Sequence, residues 1–481
     1  MRRSRLSAVL LLTACGGSGA QAAPQQPVPQ PAAQQPTPPP PPPAATFTDT
    51  LSFDRVQYAS TYKRRPNPPV LIRNANVFTG AGPEQRGVSV LFQDGKVVSV
   101  GSNLQAPAGA QVVDGTNKWV TPGIIDTHSH MGVYAAPGTQ AESDGNEATN
   151  PNTAEVWAEH SIWPQDPQIP LAIAGGVTVA QIPPGSANLI GGRSAVIRLV
   201  PARTVQEMKY PGAHYGVKMA CGENPKRVYQ NRGPSTRMGN MAGYRAAFIA
   251  AEQYRQRWDK WLKDRKGDPP ARDLKNETLA GVLRGDIYVQ NHCYRADEMA
   301  QMLDLAKEFG FTIRSFHHGI EAYKIADLLA QAGTAASVWA DWGGFKMEAY
   351  DNINENLALI TQAGARAVLH TDDPNGIQRM NQDMAKAYYA GVRAGIKLSR
   401  EDAIKWVTAN PAWALGLEQQ TGTLEPGKLA DVVLWSGDPF SVYSKAEKVW
   451  NEGWMVFDRL DPSKQYKTDF NLGQTAPGVG R

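Results

Sequence analysis

Apolar and polar positions first alternate regularly at about residue 69, where short runs of period two begin. That period places every second side chain on one face of a strand. Residues 70–72 lead into 75–77 in this way, and Val88-Ser89-Val90-Leu91-Phe92 faces Lys96-Val97-Val98-Ser99-Val100 across Asp94-Gly95. Asp-Gly between two such runs predicts a tight hairpin, because both residues tolerate the positive φ that the turn needs. Strand patterns return at 429–435 and 449–457, so the two ends of the chain are expected to pair in one small β domain. Between them, buried-strand runs at 174–182, 215–220, 287–290, 312–316, 336–340 and 367–369 alternate with helical patterns at 296–309, 320–333, 355–364 and 383–395. This alternation predicts a parallel sheet with crossover helices. From 243 to about 266, Tyr244, Phe248, Ala251 and Trp258 recur at helical spacing and predict an amphipathic helix covering that sheet, with a lid or partner surface as the alternative.

Length and charge narrow the picture. A chain of 481 residues suits one large domain with an accessory domain. The net charge of +4 is small for that length, and no block of Lys and Arg is interleaved with aromatics, which removes support for nucleic-acid binding. Three cysteines, Cys15, Cys221 and Cys293, leave at most one internal pair in the mature chain, so stability must come from the core. Both Cys221 and Cys293 are read as structural.

The N-terminus reads as a leader. Arg2, Arg3 and Arg5 precede a short apolar run at 6–12, and Leu12-Thr13-Ala14-Cys15 resembles a bacterial lipobox. The expectation is an exported, periplasmic protein, lipid-anchored through Cys15, with an ordinary secretory signal as the alternative. The apolar run is too short to span a bilayer. The Pro/Gln/Ala tract at 24–43 cannot bury a core and favours an extended tether.

The candidate chemistry lies in the histidines. All eight fall between His128 and His370. His128-Ser129-His130 directly follows the strand-like run 123–126, so both imidazoles can aim at one point, as a metal ion requires. His292, His317-His318, His370 and Asp372 follow at the ends of later apolar runs. Ligands gathered from several strand ends are the pattern of a metal-dependent β/α barrel. The loop 184–193 follows a barrel strand and offers Asn188 and Arg193 to a substrate. His160 and His214 are read as structural.

Several stretches resemble the amidohydrolase superfamily, specifically its imidazolonepropionase-like branch. They are Val120-Thr121-Pro122-Gly123-Ile124-Ile125-Asp126-Thr127-His128-Ser129-His130, Gly175-Gly176-Val177-Thr178, His318-Gly319, Thr371-Asp372, Thr408-Ala409-Asn410-Pro411-Ala412, and Gly422-Thr423-Leu424-Glu425-Pro426-Gly427-Lys428-Leu429-Ala430-Asp431. The resemblance covers about 69–457. It implies a distorted TIM (β/α)8 barrel with a small β-sandwich domain built from both chain ends. The expected division is a signal peptide at 1–23, tether and N-terminal arm at 24–65, sandwich at 66–121 and 417–470, barrel at 122–416, and a tail at 471–481.

By the same resemblance His128, His130, His292 and His318 would be metal ligands, and Asp372 both ligand and general base. The bridging ligand would be Glu223 or a carboxylated Lys218, with Glu223 preferred because it stands where a strand would emerge at the barrel mouth. His317 is the rival of His318; with His370, it is otherwise placed at the substrate. The cofactor would be a divalent metal, Zn²⁺ in the simplest case, as one or two ions. The implied activity is hydrolysis of a C–N bond in an amide, cyclic amide or peptide-like small molecule. Heterocycle deamination on the same fold and a non-catalytic tethered binding lipoprotein are the alternatives. The expected partner is a small-molecule substrate, with membrane contact only through the anchor; a homo-oligomer is left open.

Overall fold

The structure, a computed structural model, describes residues 58–469. The leader with Cys15, the proline-rich tract and the tail at 471–481 lie outside the described residues. Among the described residues the strands run, in chain order, β1 (Val70–Val77), β2 (Gln85–Gln93), β3 (Lys96–Gly101), β4 (Gln111–Asp114), β5 (Trp119–Pro122), β6 (Ile124–Asp126), β7 (Val177–Ile182), β8 (Ile190–Arg198), β9 (Gly216–Ala220), β10 (Tyr288–His292), β11 (Ile313–His317), β12 (Ala335–Val338), β13 (Arg366–Leu369), β14 (Val432–Trp435), β15 (Ala446–Asn451) and β16 (Trp454–Asp458). They form two sheets. One joins both chain ends in the order β16-β15-β14-β5-β1-β2-β3, with β4 on β1. The other runs from β13 down to β6 and curls into a barrel.

The expected hairpin is present: β2 and β3 pair antiparallel with Gln93 opposite Lys96, and Asp94 and Gly95 carry φ of 52° and 77°. A second Gly-containing turn, Glu452-Gly453, splits the apolar run at 449–457 into the hairpin β15–β16, where the alternation alone predicts one strand. Val70, Ile72, Val90, Phe92, Val432, Leu434 and Trp450 form the core of this sheet.

Asp431, in the Leu429-Ala430-Asp431 motif, joins the two sheets. Its carboxylate accepts from Thr421 Oγ1 at 2.7 Å, from the Glu452 N–H at 2.8 Å and from the buried Arg198 of β8 at 3.3 Å, while its carbonyl accepts from the Gly123 N–H at 2.8 Å. A buried charge is tolerable only when matched in this way.

In the barrel, β6–β7 and β9 through β13 are parallel, as the alternation predicts. One strand departs from that expectation. The segment containing Arg193 is no mouth loop: residues 190–198 form β8, buried along its whole length and antiparallel to both β7 and β9. The ring closes through an intervening segment. Ile125 donates to Val407 O and Leu369 to Trp406 O, both at 2.9 Å, so residues 406–407 fill the seam between β6 and β13.

Crossover helices cover the outside. Ala296–Phe309 has the predicted limits. The helix predicted at 243–266 starts earlier, at Arg237, where Thr236 caps Gly239 N–H, and continues to Asp264. Its buried face carries Tyr244, Phe248, Ala251, Tyr254 and Trp258, so it packs as a wall of the barrel. No helix of the described residues is long and apolar enough to cross a membrane. Residues 58–65 touch both sheets' surroundings: Ser60 Oγ donates to Lys209 O at 2.6 Å beside the barrel, and the Arg65 guanidinium sits 4.1 Å from the centre of the Trp454 ring of β16.

Candidate metal centre

Short β6 ends at Asp126, and the chain beyond it delivers His128 and His130 to the C-terminal mouth of the barrel. The buried Asp126 carboxylate fixes this departure. It accepts from the His128 N–H at 3.0 Å and from Thr371 Oγ1 at 2.7 Å, tying the end of β6 to the end of β13. Burial raises its pKa to about 7.

His128 Nε2 and His130 Nε2 lie 3.3 Å apart. Asp372 Oδ1 is 3.2 Å from the latter and 3.7 Å from the former, and Asp372 Oδ2 is 3.8 Å from His318 Nε2. The imidazole of His370 joins this group, its ring centre 4.8 Å from that of His318 and 5.3 Å from that of His128. His292 meets the same set, 4.7 Å ring to ring from His318. Burial holds these imidazoles neutral: His130 and His370 are pushed down to about 3, and His128, His292 and His318 lie well below the usual range.

Two tautomers follow from the hydrogen bonds. Gln290 Nε2 donates to the Ala414 carbonyl at 3.2 Å, which turns Gln290 Oε1 towards His317 Nε2 at 2.7 Å. His317 therefore carries its proton on Nε2, and its Nδ1 accepts from His128 Nδ1–H at 2.8 Å. His128 Nε2 is left with a lone pair facing the centre. His130 Nδ1–H donates to Pro183 O at 3.1 Å, so His130 Nε2 presents a lone pair to the same point.

Two lone pairs and a carboxylate oxygen thus converge at one point, where a cation would match them; the Lys218 amine reaches the same place, its Nζ 3.2 Å from His128 Nε2. His292 Nδ1 and His318 Nδ1 are also buried without a hydrogen-bond partner. Neutral imidazoles with a carboxylate are the donor set that a divalent transition metal takes, so the residues present fit such an ion.

Left-handed backbone helps to build this convergence. His318 has φ of 66° and Asp372 has φ of 57°. Each costs of order 1 kcal/mol, less than a β-branched residue would, and such outliers gather at functional sites. Consecutive strand residues normally point to opposite faces. Because His318 leaves β11 through a left-handed turn, both His317 and His318 reach His128, at 4.8 and 4.5 Å ring to ring.

Several expected roles change with this geometry. His317 is not at the substrate, because both its ring nitrogens are engaged behind His128. Arg193 is not a cation for a substrate carboxylate: from inside β8 its guanidinium lies 4.2 Å from the Trp157 ring centre, and its Nε donates to Thr278 Oγ1 at 2.8 Å. Asn188 is buried and donates to Glu147 O, Asn150 O and Thr153 Oγ1, which pins the 147–153 loop. His214 bonds Asp286 O and stacks on Tyr288, and His160 stacks on Trp157.

The two candidate bridges lie apart. Strand β9 stops at Ala220, and Gly222, at φ 80°, turns the chain so that Glu223 begins a short helix, Glu223–Tyr229. With φ of 80° and ψ of −148°, Gly222 takes a backbone conformation that side-chain-bearing residues rarely adopt, so the turn requires glycine. Glu223 Oε1 pairs with Lys346 Nζ at 3.2 Å. Lys218, still within β9, points into the barrel instead. Its Nζ lies 3.2 Å from His128 Nε2 and 3.2 Å from Pro184 O. Burial lowers the ammonium's pKa and raises that of Asp372.

Beside the site, Cys221 and Cys293 form a disulfide that ties the ends of β9 and β10, with Cα atoms 5.2 Å apart. Gln290 escaped the sequence reading, although its place two residues before His292 puts it on the same strand face. If the Gln290–His317 pair orients His128, His317→Ala lowers metal affinity about 10- to 100-fold in calorimetric titration while far-UV circular dichroism is unchanged. Wild-type affinity in that variant sinks the relay.

A family model described as amidohydrolase family matches residues 321–457. The chain is 39% identical to an amidohydrolase from Thermotoga maritima MSB8 whose crystal structure superposes with a TM-score of 0.75, covering 81% of this chain and 100% of that one. It is 33% identical to amidohydrolase tasK of Hapsidospora irregularis over 81% of its own length, and it spans 43% of that relative. It is 24% identical to the imidazolonepropionase of Mesorhizobium japonicum, over 76% of this chain and 91% of that protein.

Proposed function

The chain belongs to the amidohydrolase family, and from that premise we propose that it is a metal-dependent hydrolase of C–N bonds in amide-like small molecules, of the imidazolonepropionase-like branch. The observation that carries this is the convergence of His128 Nε2, His130 Nε2 and Asp372 Oδ1 within 3.7 Å of one another at the barrel mouth. His128, His130, His292, His318 and Asp372 would hold a divalent ion, Zn²⁺ in the simplest case. Lys218 replaces Glu223 as the candidate bridge to a second ion, and His370 lies close enough to serve as a further ligand or to touch the substrate. Such an ion supplies Lewis-acid polarisation of a carbonyl and brings the ionisation of water towards neutrality.

The chain's own residues do the rest. Asp372 accepts a proton from the attacking water as the carbon–oxygen bond forms, then returns it to the leaving nitrogen as the carbon–nitrogen bond breaks. Asp126 and Thr371 hold the two strand ends that carry His128 and Asp372 at fixed separation. The Gln290–His317 pair keeps the His128 lone pair directed at the centre.

The leader supports a further proposal, export with a lipid anchor on Cys15. The Cys221–Cys293 disulfide suits the oxidising compartment that export reaches.

Changing His128 and His130 together to Ala is expected to remove bound metal and turnover of an amide panel while leaving the barrel folded. Metal content is read by elemental analysis and folding by near-UV circular dichroism. Undiminished metal in that variant overturns the assignment. Ammonia released from amino-heterocycles, with no amide cleaved, would move the reading to deamination.

A further inference from the structure

Four aromatic rings continue outward from the histidine cluster. Trp339 follows β12, stacks on His318 with ring centres 4.4 Å apart and donates its indole N–H to Thr371 O at 2.9 Å. Trp342 lies 4.8 Å beyond Trp339, and Phe345 5.4 Å beyond Trp342. Tyr294, which follows β10, closes the inner end, 4.6 Å from His292 and 6.2 Å from Trp339. The inner pair is buried. The outer pair is not: Trp342 is 44% exposed and Phe345 48% exposed.

Exposed rings of that size on a loose loop would be unremarkable. Here the loop is fastened. Glu348 is buried, pairs with Arg237 and accepts the Glu223 N–H at 3.0 Å. Gly344 donates to Ala349 O at 2.7 Å, and Asp341 pairs with Lys386 at 3.0 Å. The Lys346 ammonium on this wall is matched, because its Nζ sits on the Tyr294 face at 4.2 Å and meets Glu223 Oε1 at 3.2 Å and Asn224 Oδ1 at 2.9 Å. What remains is a fixed series of π faces, continuous with the metal centre and open at its outer end. Rings placed at the mouth of a barrel, on a loop after a strand, are where a substrate group is recognised.

We propose that Trp342 and Phe345 seat an aromatic ring of the substrate, so that the enzyme acts on peptide-like amides carrying such a ring a few bonds from the scissile C–N bond. This rests on the hydrolase reading above. The ring packs by offset or edge-on contact while the carbonyl reaches the histidine cluster.

The test uses the metal-loaded full chain and matched dipeptides, Ala-Phe, Ala-Trp and Phe-Ala against Ala-Ala. At least one aromatic member is expected to exceed Ala-Ala about tenfold in kcat/KM, mainly through KM. In Trp342→Ala and Phe345→Ala, both partly exposed positions and so tolerant of truncation, that preference falls towards unity. Turnover of all four dipeptides with no aromatic preference overturns this inference and leaves the hydrolase reading standing. So does a preference that survives both substitutions. Failure of every amide in a broad panel to react, with metal content verified, overturns the hydrolase reading and this inference together.

Discussion

Asp372→Asn is expected to lose about 10²- to 10⁴-fold in kcat while the fold is kept. Asn has nearly the same shape and also tolerates the left-handed backbone that Asp372 adopts at φ 57°, so the substitution adds little strain. What it removes is the carboxylate that lies 3.2 Å from His130 Nε2 and 3.8 Å from His318 Nε2. An amide cannot take the proton of the attacking water or return it to the leaving nitrogen. Some metal is retained, since the imidazoles remain. Single-turnover kinetics with metal content held equal check this directly. A near-normal kcat would transfer the base role to another group, with His370 and Asp373 the nearest candidates by sequence and position.

Lys218 and Glu223 are expected to separate cleanly. Lys218→Ala costs at least one equivalent of bound metal and most of the turnover, because its amine lies inside the donor cluster, 3.2 Å from His128 Nε2. Glu223→Ala leaves the metal content intact and releases Lys346. If Lys218 bridges as a carbamate, its neutral amine adds to carbon dioxide, forms a nitrogen–carbon bond and loses one proton. Burial lowers the pKa of this amine, so the neutral form needed for the addition is accessible near neutral pH. Bicarbonate should therefore speed reconstitution of the metal-free protein, and should do nothing for Lys218→Ala. Loss of metal from Glu223→Ala with none lost from Lys218→Ala would return the bridge to Glu223.

The contrast between these two residues shows where sequence reasoning stops. Their five-residue spacing puts them on opposite faces only while the strand continues. The chain turns at Gly222, and the Glu223 N–H just beyond it donates to the carboxylate of Glu348, more than a hundred residues away. Strand β8 is a second instance. Residues 184–193, with Gly191 and Gly192 before Arg193, read as a loop after a barrel strand. The antiparallel direction of β8 came from pairing with β7 and β9, which no local pattern encodes.

Local rules carried much of the rest. The Asp94-Gly95 hairpin, the helix Ala296–Phe309 and the convergence of His128 with His130 all depend on spacing of a few residues, where strand parity, helical period and turn chemistry act directly. The ligand types and their strand-end positions were determined by the sequence alone in that sense. Which neighbour each one faces was decided by tertiary structure: His317 behind His128, Lys218 inside and Glu223 outside, Arg193 spent on Trp157, and the Trp339–Phe345 wall opening beside His318. The physical reason is that a side chain's direction follows from local backbone, whereas its partners, its burial and the point where its strand ends follow from packing between segments far apart in the chain.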